Sequence, residues 1–174
     1  MAQNQQLKLV LEDGFTVTGR SFGAPVSMAG EVVFTTGMVG YPESLTDPSY
    51  RGQILTLTFP SIGNYGVPTD ELGEFGLPAS MESDRVQVAG LVVADYSPAY
   101  SHWEAVRSLS DWLKASGVPA ICDVDTRAIT RRLREHGTML GKLVLDEDVE
   151  WFDPSTTNLV AEVGLGRAEV INPG

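Results

Sequence analysis

Apolar and polar residues alternate through Leu7-Lys8-Leu9-Val10-Leu11, break at Asp13-Gly14, and resume over residues 15–22. This pattern predicts a β-hairpin, since Asp-Gly readily adopts the positive φ that tight strand connections need. Runs rich in Val, Thr, Ile and Phe at 31–36 and 53–59 predict two further strands. The first third therefore reads as antiparallel sheet. Residues 63–84 crowd Gly, Pro, Asp and Glu together and read as a long acidic loop, with 67–84 its most acidic part.

The second half changes period. Residues 86–95 are almost continuously apolar, the pattern of a strand buried on both faces. Ser101 and Glu104 have capping-box spacing, Val106, Leu109 and Leu113 follow at helical intervals, and Gly117 stands where a C-terminal cap belongs. Residues 118–122 make a short strand. Asp125 is placed to cap a helix running from Thr126 to His136, with Ala128, Ile129 and Leu133 as its buried stripe and Gly137 after it. Residues 139–145 return as a strand. The resulting βαβαβ order predicts right-handed crossovers, some parallel pairing and an α/β fold class.

Composition narrows the partners. A length of 174 residues suits one domain with a tail, and a net charge of −11 disfavours nucleic acid or an anionic membrane, which need clustered Lys and Arg. The first residues carry no basic region followed by an apolar run, and no apolar segment reaches membrane-spanning length. Cys122 is the single cysteine, which rules out an intramolecular disulfide and fits a reducing, cytoplasmic setting.

Four features carry candidate chemistry. Cys122 with His102 and His136 allows a thiol nucleophile and base, although a cysteine ending a short apolar strand is more often inert core. Asp146, Asp148 and Glu150 alternate like cation ligands, but Trp151 stands where a calcium loop needs Gly; zinc is excluded by one Cys and no paired His. Arg127, Arg131 and Arg134 share one helix face, either solvated or a docking face for an acidic surface; Arg132 adds to the same basic cluster. Asp47-Pro48-Ser49-Tyr50 predicts a tight turn that projects the Ser49 hydroxyl, able to donate and accept toward a polar small molecule.

The order of several motifs makes the chain resemble the N-terminal domain of the small subunit of glutamine-dependent carbamoyl-phosphate synthetase. They are Leu11-Glu12-Asp13-Gly14, Ser21-Phe22-Gly23-Ala24, Gly30-Glu31-Val32-Val33-Phe34, Thr36-Gly37-Met38, Gly40-Tyr41, residues 45–50, Ile62-Gly63-Asn64-Tyr65-Gly66 and Asp125-Thr126-Arg127-Ala128-Ile129-Thr130-Arg131. Pro42, Ser44 and Ser61 depart from the residues usual in that family.

The resemblance implies a three-layer β/β/α swivelling domain over 1–150, with 151–174 as a linker toward a class I glutamine amidotransferase domain. That absent domain would carry the Cys-His-Glu triad, so no catalytic residue and no metal site are expected in this chain. Ser49 is implied as its contribution to glutamine binding. The expected partners are the amidotransferase domain and a large subunit that uses ATP and Mg; no cofactor is expected here. Ammonia from glutamine would then be combined with bicarbonate and phosphate into carbamoyl phosphate, for arginine and pyrimidine synthesis. Two alternatives stay open: an independent binding or scaffold module, and a thiol hydrolase using Cys122.

Overall fold

A computed structural model describes residues 5–72 and 80–164. Strands β1 (Gln6–Leu11) and β2 (Thr16–Ser21) form the expected antiparallel hairpin, with Leu9 opposite Val17. Gly14 takes φ 88°, and the Asp13 carboxylate accepts from the Phe15 amide at 2.9 Å. β3 (Met28–Thr35) leads through a short helix, α1 (Tyr41–Thr46), and a 3-10 turn (Pro48–Tyr50) into β4 (Gln53–Leu57). β5 (Ser61–Ile62), β6 (Val67–Pro68), β7 (Gly90–Val92), β8 (Asp95–Tyr96) and β9 (Ala105–Arg107) follow. The chain continues with α2 (Leu109–Ala115), β10 (Ala120–Cys122), α3 (Thr126–His136), β11 (Met139–Val144), a 3-10 turn (Pro154–Thr156) and α4 (Leu159–Val163).

Seven strands close into a barrel in the order β1-β11-β3-β4-β7-β10-β2, with β2 returning to β1. Two ribbons lie apart from it, β5 with β8 and β6 with β9. The fold is mixed α/β, as expected, and alternation along the barrel strands sorts its side chains into two cores. Leu7, Leu9, Leu11, Val32, Ile54, Val92, Ile121 and Leu143 form one, joined by Ile129 and Leu133 of α3. Leu55, Leu57, Leu91 and Ala120 point the other way and meet Tyr41 and Leu45 of α1 and Leu109, Trp112 and Leu113 of α2. The first core is narrow. A Cβ on Gly141 would collide with the Val32 side chain, and one on Gly90 with that of Leu143.

Three expectations need correction. The first third is not all antiparallel, since β3 and β4 pair in parallel. Residues 36–52 carry the chain back across the sheet through α1, the kind of connection parallel neighbours require. The apolar run at 86–95 gives only the short ladder of β7 before the chain leaves the barrel. β11 inserts between β1 and β3, antiparallel to both. The expected parallel pairing is present between β7 and β10, across α2, and β7 and β8 also pair in parallel with β4 and β5.

The last correction concerns 101–107. The helix expected there begins only at Leu109, with the Ser108 hydroxyl accepting from the Asp111 amide at 3.1 Å. Trp103 is 84 % exposed and Val106 60 % exposed, so neither belongs to a buried stripe. The capping-box spacing was coincidental, and Val106 lies on the β6–β9 ribbon instead. The helix capped by Asp125 forms as expected, its carboxylate accepting from the Ala128 amide at 2.9 Å. Of its expected stripe, Ile129 and Leu133 are buried and Ala128 is half-buried. The acidic loop contains β6, and its residues 73–79 lie outside the described residues.

Candidate functional site

Ser49 occupies the middle of the 3-10 turn between α1 and β4. Pro48 presets the backbone angle of the turn's first residue. The Asp47 carboxylate accepts from the Ser49 amide at 2.8 Å, and the Asp47 carbonyl accepts from the Tyr50 amide at 3.0 Å. Tyr50 packs against the outer core, which anchors the turn while Ser49 stays exposed. The Ser49 hydroxyl makes no hydrogen bond among the described residues, so both its donor and its lone pairs are available to a ligand.

The turn is rigid because α1 is held at both ends. Gly40 caps α1 at φ 80°, a conformation that glycine adopts without strain. The Tyr65 hydroxyl accepts from the amides of Gly40 at 2.9 Å and Tyr41 at 3.1 Å, satisfying donors that a helix start leaves unpaired. Tyr41 in turn donates to the Gly66 carbonyl at 2.5 Å, and the two phenol rings stack at 4.2 Å. Burial pushes both phenols above the usual tyrosine range, so they remain protonated at neutral pH.

At the other end, buried Thr46 donates to the Pro42 carbonyl at 2.8 Å and accepts from the Glu82 amide at 3.0 Å. Ser83 donates to the Thr46 carbonyl at 2.5 Å and accepts from the Gln87 side chain at 2.9 Å. These ties join α1 to the segment that enters β7. The ties of Tyr65 to Gly40 and Tyr41, and of Thr46 to Glu82 and Ser83, were not legible in the sequence, because their partners lie 24 to 37 residues apart and no periodicity connects them.

A third contact comes from the C-terminal segment. Gly52 has φ 76°, and a Cβ there would approach Pro154 to 3.1 Å. Arg51 Nε donates to the Glu162 carboxylate at 3.3 Å, and Arg85 Nη2 to the Glu162 carbonyl at 3.1 Å. Pro154 and Glu162 thus lie beside the segment that follows the Ser49 turn. Residues 165–174 of the expected linker lie outside the described residues.

The thiol alternative loses its nucleophile. Cys122 is fully buried on β10, its sulfur donating to the Arg20 carbonyl at 3.4 Å. Burial pushes its pKa up to about 12, against the lowered value that a nucleophilic thiol needs. His136 ends α3 in the open. His102 lies in a turn rather than a helix cap, edge-on to Tyr65 and stacked on Trp103. Neither is a hydrogen-bond partner of Cys122.

Asp148 is taken up by Lys142 at 3.2 Å, and among the described residues no cluster of His, Cys, Asp or Glu could hold a metal ion. Nor is any helix among them long and apolar enough to cross a membrane. The arginines of α3 divide: Arg132 pairs with Asp13 and lies over the Phe15 ring at 4.6 Å, whereas Arg127, Arg131 and Arg134 line a cleft of about 520 Å³.

Residues 9–143 match the family model described as carbamoyl-phosphate synthase small chain, CPSase domain. The chain belongs to the carbamoyl-phosphate synthase small-chain family. The multifunctional protein pyr-3 of Neurospora crassa is 49 % identical over 95 % of the chain and 10 % of its own length. The mitochondrial carbamoyl-phosphate synthase [ammonia] of Homo sapiens is 51 % identical over 98 % of the chain and 12 % of its own. The multifunctional protein CAD of Squalus acanthias is 50 % identical over 95 % and 8 %. This chain therefore spans about a tenth of the length of these curated relatives. The small-chain match takes in the whole Ser49 turn and its tyrosine clamp, while the strap at 152–162 falls beyond it.

Proposed function

We propose that this chain is the non-catalytic N-terminal domain of the small subunit of a glutamine-dependent carbamoyl-phosphate synthase. The observation that carries the reading is the Ser49 turn: a clamped backbone and a hydroxyl that makes no hydrogen bond among the described residues. A rigid wall of this kind can complete a glutamine site whose triad sits in a following amidotransferase domain, since a pre-positioned donor binds without first being ordered. Ser49 would fix one polar end of glutamine while the amidotransferase domain releases ammonia.

The ammonia would pass to a large subunit that consumes ATP with Mg and joins it to bicarbonate, giving carbamoyl phosphate for arginine and pyrimidine synthesis. In that assembly the domain works as a swivelling element that docks on the large subunit and buttresses the glutamine site. We place it in the cytoplasm, where a single free thiol fits the reducing setting.

The reading is tested by a glutaminase assay on the chain alone and on the assembled synthase. Turnover only in the assembled enzyme is expected. Turnover by the isolated chain that vanishes in Cys122→Ser would overturn it. An independent scaffold module would fail to co-purify with the large subunit.

A further inference from the structure

The carboxyl ends of the parallel strands β3, β4, β7 and β10 converge on one cleft, and α3 rises from its rim. In α/β sheets ligands collect at that end of the strands, because loops and helix starts there present unpaired backbone donors. Here the wall is cationic. Arg127, Arg131 and Arg134 line the cleft of about 520 Å³, all three exposed, and none forms an ion pair among the described residues. The carboxylate of Asp125, which also borders the cleft, already accepts from the Ala128 amide at 2.9 Å.

This arrangement works against the helix that carries it. Arg127 falls in the first turn of α3, where a positive charge opposes the helix dipole. Arg127 with Arg131, and Arg131 with Arg134, sit at spacings where like charges repel. Arg132, one position away from Arg131, shows the ordinary structural use of such a residue in its pairing with Asp13 and Phe15. Three uncompensated guanidiniums on a chain of net charge −11 are therefore not explained by the domain's own stability.

We propose that this face of α3 and the cleft beside it dock a carboxylate-bearing segment of the polypeptide on which the domain assembles. The inference rests on the docking role given above and names its surface. The shape favours an extended acidic segment over a single small anion, since residues 127 to 134 spread the three cations over about 10 Å of helix. Thr36 and Thr58, at the ends of β3 and β4, add hydroxyls that make no hydrogen bond among the described residues and can donate to the same carboxylates. Guanidinium forks pair with carboxylates in a fixed two-point geometry, which sets register as well as affinity.

The experiment uses the assembled synthase and follows separation of its two subunits by sedimentation velocity as salt is raised. Arg127→Glu/Arg131→Glu is expected to weaken association at least about tenfold and to flatten its salt dependence. Arg127→Gln/Arg131→Gln should give a smaller loss in the same direction, and its thermal midpoint should match or exceed the wild type because repulsion has been relieved. Arg132→Gln, away from the cleft, should keep wild-type association.

Tight assembly of the wild type with no change in either double variant would overturn the docking surface and leave the broader reading standing. Failure of the wild type to assemble at all would overturn both. Binding of inorganic phosphate that is lost in the double variants, with assembly intact, would make the cleft a small-anion site and overturn the proposal as well.

Discussion

The two cores of this domain share one sheet yet are held together differently. Inside the barrel, Leu7, Leu9, Leu143, Ile54 and Ile121 are buried completely and fit by shape, with Gly90 leaving room for Leu143 and Gly141 for Val32. On the outer face, Tyr41, Leu45, Trp112 and Tyr96 pack around polar ties: Tyr65 to the start of α1, Thr46 to Ser83, Ser110 to the Phe22 carbonyl. The inner core sets whether the domain folds. The outer one sets where Ser49 points.

Substitutions in each region should separate these roles. The largest loss is expected for Leu9→Ala, which empties a fully buried site in the barrel and should cost about 2–5 kcal/mol in denaturant unfolding. Gly141→Ala should cost about 1–3 kcal/mol, since the added methyl has no room beside Val32. An unchanged midpoint for either would mean that the barrel is not closed as described.

Tyr65→Phe should also cost about 1–3 kcal/mol by orphaning the Gly40 and Tyr41 amides, but with a different signature. Faster amide exchange is expected at residues 40–41, and hardly any change in β1 or β11. Uniform loosening of both cores would break the distinction.

A smaller and pH-dependent effect is expected at Cys122. Below its ordinary pKa of 9.0 the thiol is neutral whether the chain is folded or not, so pH makes no difference to its contribution. As pH rises from there toward about 12, the unfolded chain ionises while the buried thiol does not, and stability falls. Cys122→Ala should therefore lose less stability than the wild type between those values. Equal slopes for the two proteins would show that the thiol is not buried in solution.

The inner core was legible in the sequence because burial on one strand face leaves a period of two. Leu7, Leu9 and Leu11 announce β1, and Ile129 and Leu133 with the Asp125 cap announce α3. Sheet order was not legible: β11 could be recognised as a strand, but its place between β1 and β3 depends on barrel closure, which no local pattern records. The stretch 101–107 misled because Ser101 and Glu104 imitate a helix start, while the real cap, Ser108, lies seven residues after Ser101. At the candidate site the turn itself was readable from Asp47 and Pro48. The reason it is rigid was not, because Tyr65, Ser83 and Glu162 reach it from distant parts of the chain.

The central claim is that Ser49 belongs to the glutamine site and not to the fold. In the assembled synthase, Ser49→Ala should leave unfolding within about 0.5 kcal/mol of the wild type. Loss of one hydrogen bond to the ligand should raise the glutamine KM about tenfold. Carbamoyl-phosphate synthesis supplied with ammonia should proceed at the wild-type rate. Equal loss of the glutamine- and ammonia-dependent activities, or no loss of either, would contradict the account.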